Sequence, residues 1–174
     1  MSYVMVDIES DGPIPGDYSM ISFGAVIVRD DNLQEIFSGQ LRPISNNWMP
    51  EALAISGFRR DQVVTFPDPR IVMLEFEGWL TENSVGKPIF ISDNNGFDWQ
   101  FINWYFHHFL GRNPFGYSSL NLNSLYKGLR VDIRAHCREL CITEHTHDPV
   151  EDATGNAEAL ICMNERYELN LKLV

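Results

Sequence analysis

The sequence predicts a single α/β domain, residues 1–174, with a mixed β-sheet and helices on its faces. Two strand-like segments, 21–28 and 33–41, are joined by a short polar turn and are typical of an antiparallel hairpin. Later in the chain, apolar segments alternate with amphipathic helical stretches, as they do in strand–helix units. A length of 174 residues and a hydrophobic content of 44% fit one globular domain with a sizeable core.

The amino-terminal half begins with a strand. Residues 3–8 are rich in strand-forming side chains and precede a Gly/Pro turn. The hairpin follows, and the polar stretch 29–32 forms its turn. The next predicted elements are a loop at 43–50, short helical turns at 51–56 and 59–63 broken by Gly57, and an amphipathic helix at 68–81. The inward face of that helix is predicted to consist of Ile71, Leu74, Gly78 and Trp79.

The carboxy-terminal half alternates short strands with helices. Gly111 ends one helix, and Gly128 is predicted to break another. Asp148 and Pro149 have the N-cap and first-turn chemistry that begins a long final helix. The predicted elements are a strand at 88–92, a helix at 97–110, a strand at 117–122, helical pieces at 125–140 and a helix at 149–167.

The net charge of −11 limits the partners of this chain. A protein that holds nucleic acid by electrostatic attraction alone is expected to be basic. An acidic chain can still grip a short stretch of nucleic-acid backbone through metal ions, because the ions cancel local negative charge.

A membrane is not an expected partner, and a cytoplasmic location is expected. No apolar run approaches the roughly 20 residues needed to cross a bilayer. The chain opens on a strand rather than on a secretion signal. Its cysteines, Cys137, Cys141 and Cys162, are odd in number and contain no CxxC pair, so free thiols in a reducing compartment are the simplest account.

Asp7 and Glu9 form the most informative pair in the sequence. Side chains alternate along a strand, so both carboxylates project from the same face, and their apolar neighbours indicate a strand buried on both sides. Two like charges at the end of such a strand repel each other and resist desolvation. A divalent cation such as Mg²⁺ or Mn²⁺ would resolve both problems. The alternative is a strand whose acidic end runs out into solvent.

Two later segments carry further candidate residues. Asp98 lies in a helical first turn and shares the apolar face of its helix, so it is either a ligand or an acid stabilised by the helix dipole. Asp152 follows the start of the final helix, and His147 comes just before it. This arrangement suits a fixed metal ligand and a mobile proton-transfer group. A histidine in this setting is more commonly a surface loop residue, and His145 is a competing candidate.

The ordered motifs resemble those of a known family. They are Asp7-x-Glu9, Asn94-x-x-Phe97-Asp98 and His147-x-x-x-x-Asp152-Ala153. The set resembles the DEDDh branch of the 3′–5′ exonuclease superfamily, which includes proofreading domains, oligoribonuclease and tRNA-trimming ribonucleases. The resemblance spans residues 3 to about 165. The departures are Asp93 where the family often has His, Asn121 and Asn123 where Thr or Asp is common, and an irregular stretch at 43–69.

This resemblance implies a ribonuclease H-like fold with a five-stranded mixed sheet and a two-metal hydrolysis of phosphodiesters. It implies two Mg²⁺ or Mn²⁺ ions held by Asp7, Glu9, Asp98 and Asp152. Asp7 would be shared by both ions, Glu9 and Asp152 would bind one, and Asp98 would contribute to the other. His147 would be the general base. The products would be nucleoside 5′-monophosphates, released one at a time from the 3′ end.

The expected substrate is a short single strand, with RNA favoured over DNA, because an acidic surface repels a long polyanion. A homodimer is possible for short members of the family. The predicted substrate contacts are backbone donors of Ser10, Asp11 and Gly12, an apolar wedge of Met20 and Ile21, and stacking on Trp99. The basic residues Lys127, Arg130, Arg134 and Arg138 are predicted either as a phosphate track or as a solvated helix face.

Other functions remain open from the sequence. They are a non-catalytic nucleic-acid-binding domain on the same fold, a DNA-specific exonuclease and a ribonuclease H-type endonuclease. The complete set of carboxylates argues against the binding domain, and the spacing of His147 and Asp152 favours the exonuclease.

Overall fold

The structure is a computed structural model that describes residues 1–30 and 32–174. Five strands form one mixed sheet in the order β3-β2-β1-β4-β5. The strands are β1 (Ser2–Ser10), β2 (Met20–Val28), β3 (Ile36–Gln40), β4 (Pro88–Ser92) and β5 (Ser119–Asn121). β2 pairs antiparallel with both β1 and β3, whereas β4 pairs parallel with both β1 and β5. The predicted hairpin and mixed sheet are confirmed.

Helices cover the sheet. They are α1 (Pro50–Ile55), α2 (Arg60–Val63), α3 (Pro69–Asn83), α4 (Asn95–Leu110), α5 (Leu122–Arg130) and α6 (Pro149–Arg166), with a 3₁₀ helix at Cys137–Leu140. Gly111 takes the left-handed conformation that ends α4, as its stop signal predicts. No helix in the described ranges combines the length and apolar content needed to span a bilayer.

Boundaries near β3 and α5 differ from the sequence-based prediction. β3 begins at Ile36 rather than at residue 33, so the polar segment before it is longer than predicted. α5 continues through Gly128, since one glycine weakens a helix without ending it. The predicted turn at 29–32 includes Asp31, which lies outside the described residues.

The predicted inward face of α3 is wrong. Ile71 and Leu74 are exposed, and so is Gly78, while Trp79 is half-buried. The buried face consists instead of Val72, Met73, Phe76 and Leu80. Phe76 packs against three aromatic rings from other elements, those of Phe23, Phe37 and Phe106. These distant partners decide which of two apolar stripes on the helix turns inward.

β1 is buried on both faces, as predicted. Val4, Val6 and Ile8 belong to the core between the sheet and helices α3 and α4. Met5 belongs to the core on the opposite face, where α6 packs. Because side chains alternate, Asp7 and Glu9 project toward the α6 side at the carboxyl end of the strand.

α6 lies unusually close to the sheet. Ala153 and Ala157 are fully buried, so small side chains line the contact. At Gly24 of β2, an added Cβ would lie 2.3 Å from the backbone oxygen of Pro149. Gly24 is the register partner of Asp7. The first turn of α6 is therefore held directly over the acidic end of β1.

Candidate active site

Three predicted acids meet at this point. Asp7 and Glu9 come from β1, and Asp152 comes from the first turn of α6. One carboxylate oxygen from each lies within 4.8 Å of the other two. All three side chains are largely removed from solvent. Like charges this close are stable only when a cation or bound protons neutralise them.

Asp98 completes the acidic group from the other side. It lies in the first turn of α4 with 2% of its surface exposed, among Phe101, Ile102 and Tyr105, which are fully buried. Its Oδ2 atom is buried and makes no hydrogen bond with any described residue. A buried carboxylate oxygen that has no hydrogen-bond partner in the protein is typical of a metal ligand.

The ionisation of these acids is strongly perturbed. Burial, followed by the charges of Asp98 and Asp152, raises the pKa of Asp7 well above its usual value. Burial and the charge of Asp152 raise the pKa of Glu9 to about 7. Burial and the charge of Asp93 raise the pKa of Asp98 to about 8. Three carboxylates that resist ionisation without a counter-charge, Asp7, Glu9 and Asp98, fit divalent metal ions.

These pKa values predict how the stability of the metal-free protein depends on pH. Glu9 has a pKa of about 7 in the folded protein against its ordinary 4.5, so between these values the folded state holds a proton that the unfolded chain has released. This stabilisation is complete below the ordinary pKa and is lost as pH rises through the folded value. Asp98 acts in the same direction.

We therefore expect the melting temperature without metal to fall between about pH 5 and about pH 8. Saturating Mn²⁺ should flatten this dependence, because a bound cation favours the charged carboxylates. Thermal unfolding followed by circular dichroism, with EDTA or with Mn²⁺, measures both. A metal-free melting temperature that rises steadily over this range would contradict the assignment.

The two histidines lie on the loop before α6 and touch different acids. Nδ1 of His147 lies 3.6 Å from Oε1 of Glu9, and Nδ1 of His145 lies 2.7 Å from Oδ2 of Asp152. His147 is about half exposed and has a positive φ of 65°. His147 is therefore the histidine that sits beside the β1 acids and faces the solvent, as its predicted role requires.

An open cleft of about 760 Å³ runs past the acids. One wall is polar and comes from β5, α5 and the 3₁₀ helix; it includes Asn121, Asn123, Lys127 and Arg138. The opposite wall is apolar and comes from the segment around α1; it includes Met49, Ala52 and Ile55. A nucleic-acid strand has phosphates along one edge and bases along the other, which matches a polar wall facing an apolar wall.

The predicted substrate contacts are only partly brought to this cleft. Ser10 and Gly12 line it. Asp11 does not fit its predicted role, because its N–H donates to the backbone oxygen of Ser19 and its fully buried carboxylate pairs with Arg60 at 2.9 Å.

Met20, Ile21 and Trp99 also depart from the prediction. Met20 and Ile21 are fully buried, so they cannot wedge against a base. Trp99 packs edge-on against Phe90 and lines a different surface depression. Met20 and Ile21 belong to β2, a central strand of the sheet whose two faces are both covered, so neither side chain reaches the cleft.

The basic residues separate into two groups. Lys127 and Arg138 line the cleft. Arg130 and Arg134 point elsewhere and pair with Glu139 at 3.2 Å and with Asp132 at 3.6 Å. A phosphate track of four residues is therefore not formed, and two of the four remain as candidates.

Sequence reasoning missed most of the cleft walls. Asn121 and Asn123 both donate to the backbone oxygen of Asp93, at 3.1 and 3.2 Å, and so join β5 and α5 to the end of β4. In the sequence they stand out only as departures from the family pattern. Met49 and Ile55 come from the irregular stretch at 43–69, where apolar residues on either side of Pro50 are the available signal.

Comparison with known proteins agrees with this geometry. Residues 4–160 match the family described as Exonuclease (RNase_T). Over 168 residues the chain is 42% identical to the 3′–5′ DNA exonuclease Cap18 of Escherichia coli, covering 90% of this chain and 88% of Cap18. It is 27% identical over 161 residues to a PolC-type DNA polymerase III of Staphylococcus saprophyticus, covering 83% of this chain and 11% of the polymerase.

Solved structures share the fold. The nuclease domain of 3′hExo, a DEDDh family member bound to rAMP, superposes with a TM-score of 0.78 at 18% identity, covering 99% of this chain and 94% of that domain. Escherichia coli exonuclease I in complex with a dA16 oligonucleotide superposes with a TM-score of 0.78 at 15% identity, covering 96% of this chain and 41% of exonuclease I. The chain therefore belongs to the exonuclease family as a 3′–5′ exonuclease, and it shares its ribonuclease H-like fold with the DEDDh nuclease domain of 3′hExo.

Proposed function

We propose that this protein hydrolyses single-stranded DNA from its 3′ end and releases nucleoside 5′-monophosphates, with Mg²⁺ or Mn²⁺ as its metal. The observation that supports the reaction is the close approach of Asp7, Glu9 and Asp152, together with Asp98, whose charge acts on Asp7 and which lines the same open cleft as Asp7 and Glu9. The choice of DNA rests on the 42% identity to Cap18, a 3′–5′ DNA exonuclease. The RNA preference expected from the sequence is retained as an outcome of the test below.

The four carboxylates would hold two divalent ions, which supply a nucleophile at neutral pH and neutralise charge on the phosphate. Asp7 would hold metal together with Glu9, Asp98 and Asp152, whose charges all act on its carboxylate. His147 accepts the proton of the attacking water, since a neutral imidazole can do so near pH 7. Its position on the loop beside Glu9 lets it approach the phosphate from the solvent side.

The charge of the chain favours a short grip on the substrate. With a net charge of −11, most of the surface repels a long polyanion. Lys127 and Arg138 on the polar wall are the cations available to phosphates near the metals. A 3′-phosphate should block hydrolysis, because the segment from Ser10 to Gly12 beside Glu9 contains no basic residue to neutralise it.

The test uses 5′-labelled DNA and RNA strands of the same sequence, in linear form, in circular form and with a 3′-phosphate. We expect a one-nucleotide ladder from linear DNA, slower decay of RNA, and survival of the circular and 3′-phosphorylated strands. Internal cuts at early times, or equal decay of circles, would overturn the exonuclease mechanism. Faster decay of RNA would overturn only the choice of DNA, and binding without products would favour the non-catalytic alternative.

Lys127→Ala is expected to raise the KM for single-stranded DNA with little change in kcat, because Lys127 would contact a phosphate. The slope of log KM against log salt concentration should fall by about 0.7, the value for one phosphate contact on a single strand. Arg134→Ala is the matched control, since Arg134 pairs with Asp132 away from the cleft. Equal salt slopes for the two variants would remove Lys127 from the phosphate path.

A reducing, cytoplasmic location is also part of this proposal, supported by the free thiols of Cys137, Cys141 and Cys162.

A homodimer is proposed as well, from the family resemblance alone. Light scattering in solution tests it: a mass near 20.0 kDa would identify a monomer, and twice that mass a dimer.

A further inference from the structure

A line of side chains runs from the cleft wall to a catalytic acid. Nη2 of Arg138 lies 3.1 Å from Nε2 of His145, and Nδ1 of His145 lies 2.7 Å from Oδ2 of Asp152. Arg138 and His145 both line the cleft, whereas the side chain of Asp152 is 1% exposed. His145 therefore connects an exposed cation to a buried carboxylate.

The position of the proton on the His145 ring follows from the chemistry of arginine. A guanidinium group can only donate, so Nε2 of His145 must accept from Arg138. In a neutral imidazole the proton then sits on Nδ1, which faces Asp152. His145 thus turns its proton-bearing nitrogen toward Asp152, with Nδ1 2.7 Å from Oδ2. Potential ligand atoms of His145, His147 and Asp152 lie within 4.8 Å of one another. In this tautomer, however, the nitrogen of His145 that faces Asp152 carries a proton, so it has no lone pair with which to bind a metal ion.

The remaining contacts of Asp152 come from the backbone of the same loop. Thr146 N–H donates to Oδ1 at 2.9 Å, and His147 N–H donates to Oδ2 at 3.2 Å. Among the described residues, His145 is the one side chain whose charged or polar group contacts this carboxylate. Its ring also packs edge-on against His147 at a centroid distance of 4.5 Å.

We propose that His145 is a positioning residue that orients the carboxylate of Asp152 for metal binding, with Arg138 fixing the tautomer of its ring. This inference rests on the proposed function, because it takes Asp152 as a metal ligand. Removing a residue that contacts and orients a metal ligand typically weakens metal affinity 10- to 100-fold. His145 is separate from His147, which acts on the substrate side.

The test is Mn²⁺ affinity measured by calorimetry without substrate. His145→Ala should weaken Mn²⁺ binding about 10- to 100-fold. His145→Asn should recover most of this loss, since the Asn side-chain nitrogen is the same number of bonds from the backbone as Nδ1 and also donates. His107→Ala is the control, because His107 is an exposed histidine of α4 outside the cleft. Equal loss in the Ala and Asn variants, or no loss in either, would overturn the proposal.

Asp152→Asn separates this proposal from the one on which it rests. If Asp152→Asn leaves Mn²⁺ binding unchanged, the metal site itself is wrong. If Asp152→Asn removes Mn²⁺ binding and His145→Ala does not weaken it, only the role of His145 fails. A kinetic readout adds to this: His145→Ala should keep most of its kcat at saturating Mn²⁺ and lose activity at limiting Mn²⁺.

Discussion

Asp7→Asn is expected to lower the rate of hydrolysis by at least roughly 10³-fold, about 4 kcal/mol of transition-state stabilisation. Asp7 is the acid whose ionisation is most affected by the others, since Asp98, Asp152, Asp93 and Glu9 all act on it. An amide at this position keeps the shape of the side chain but removes the charge that draws both cations. Initial rates on linear DNA at saturating Mn²⁺ measure the loss.

The same variant should be more stable than the wild type when metal is absent. Neutralising a buried carboxylate removes both its desolvation cost and its repulsion with the remaining acids. Asp61→Asn is the matched control, because Asp61 is fully exposed beside Arg59 and should leave activity unchanged. Retention of more than a few per cent of activity by Asp7→Asn would count decisively against the two-metal site.

His147→Ala is expected to lower kcat by roughly 10²- to 10⁴-fold, the range for loss of a general base. Mn²⁺ binding should survive, since His147 contacts the ligand Glu9 only at 3.6 Å and supplies no carboxylate oxygen. Single-turnover rates at saturating Mn²⁺ isolate this effect. His145→Ala under the same conditions should be far less affected. The reverse order of the two losses would mean that the base had been assigned to the wrong histidine.

The acidic centre could be predicted because local periodicity governs it. Two-residue alternation places Asp7 and Glu9 on one face of β1 whatever the rest of the chain does. The apolar neighbours of Asp98 at helical spacing likewise place it against the sheet, and Asp148 fixes where α6 begins. Each of these inferences needs only a few consecutive residues.

Other features depend on contacts between distant segments, which local patterns do not contain. Val72 and Ile71 lie on competing stripes of α3, and aromatic rings from β2, β3 and α4 select the stripe of Val72. The sequence predicts Met20 as part of an apolar wedge against the substrate. Its N–H instead donates to the hydroxyl of Tyr105, 85 residues away, inside the core.

Gly24 carries no chemistry, yet the spacing of the proposed metal ligands depends on it. Its missing side chain lets the backbone of Pro149 approach the sheet, and three residues later that backbone carries Asp152. The separation between the acids of β1 and the acid of α6 thus depends on the absence of a Cβ atom at position 24. The methyl group of an alanine at position 24 would push the backbone of Pro149 away from the sheet and so lengthen the distance between Asp7 and Asp152. The spacing of the acidic group can therefore be altered from a position that is not itself part of the group.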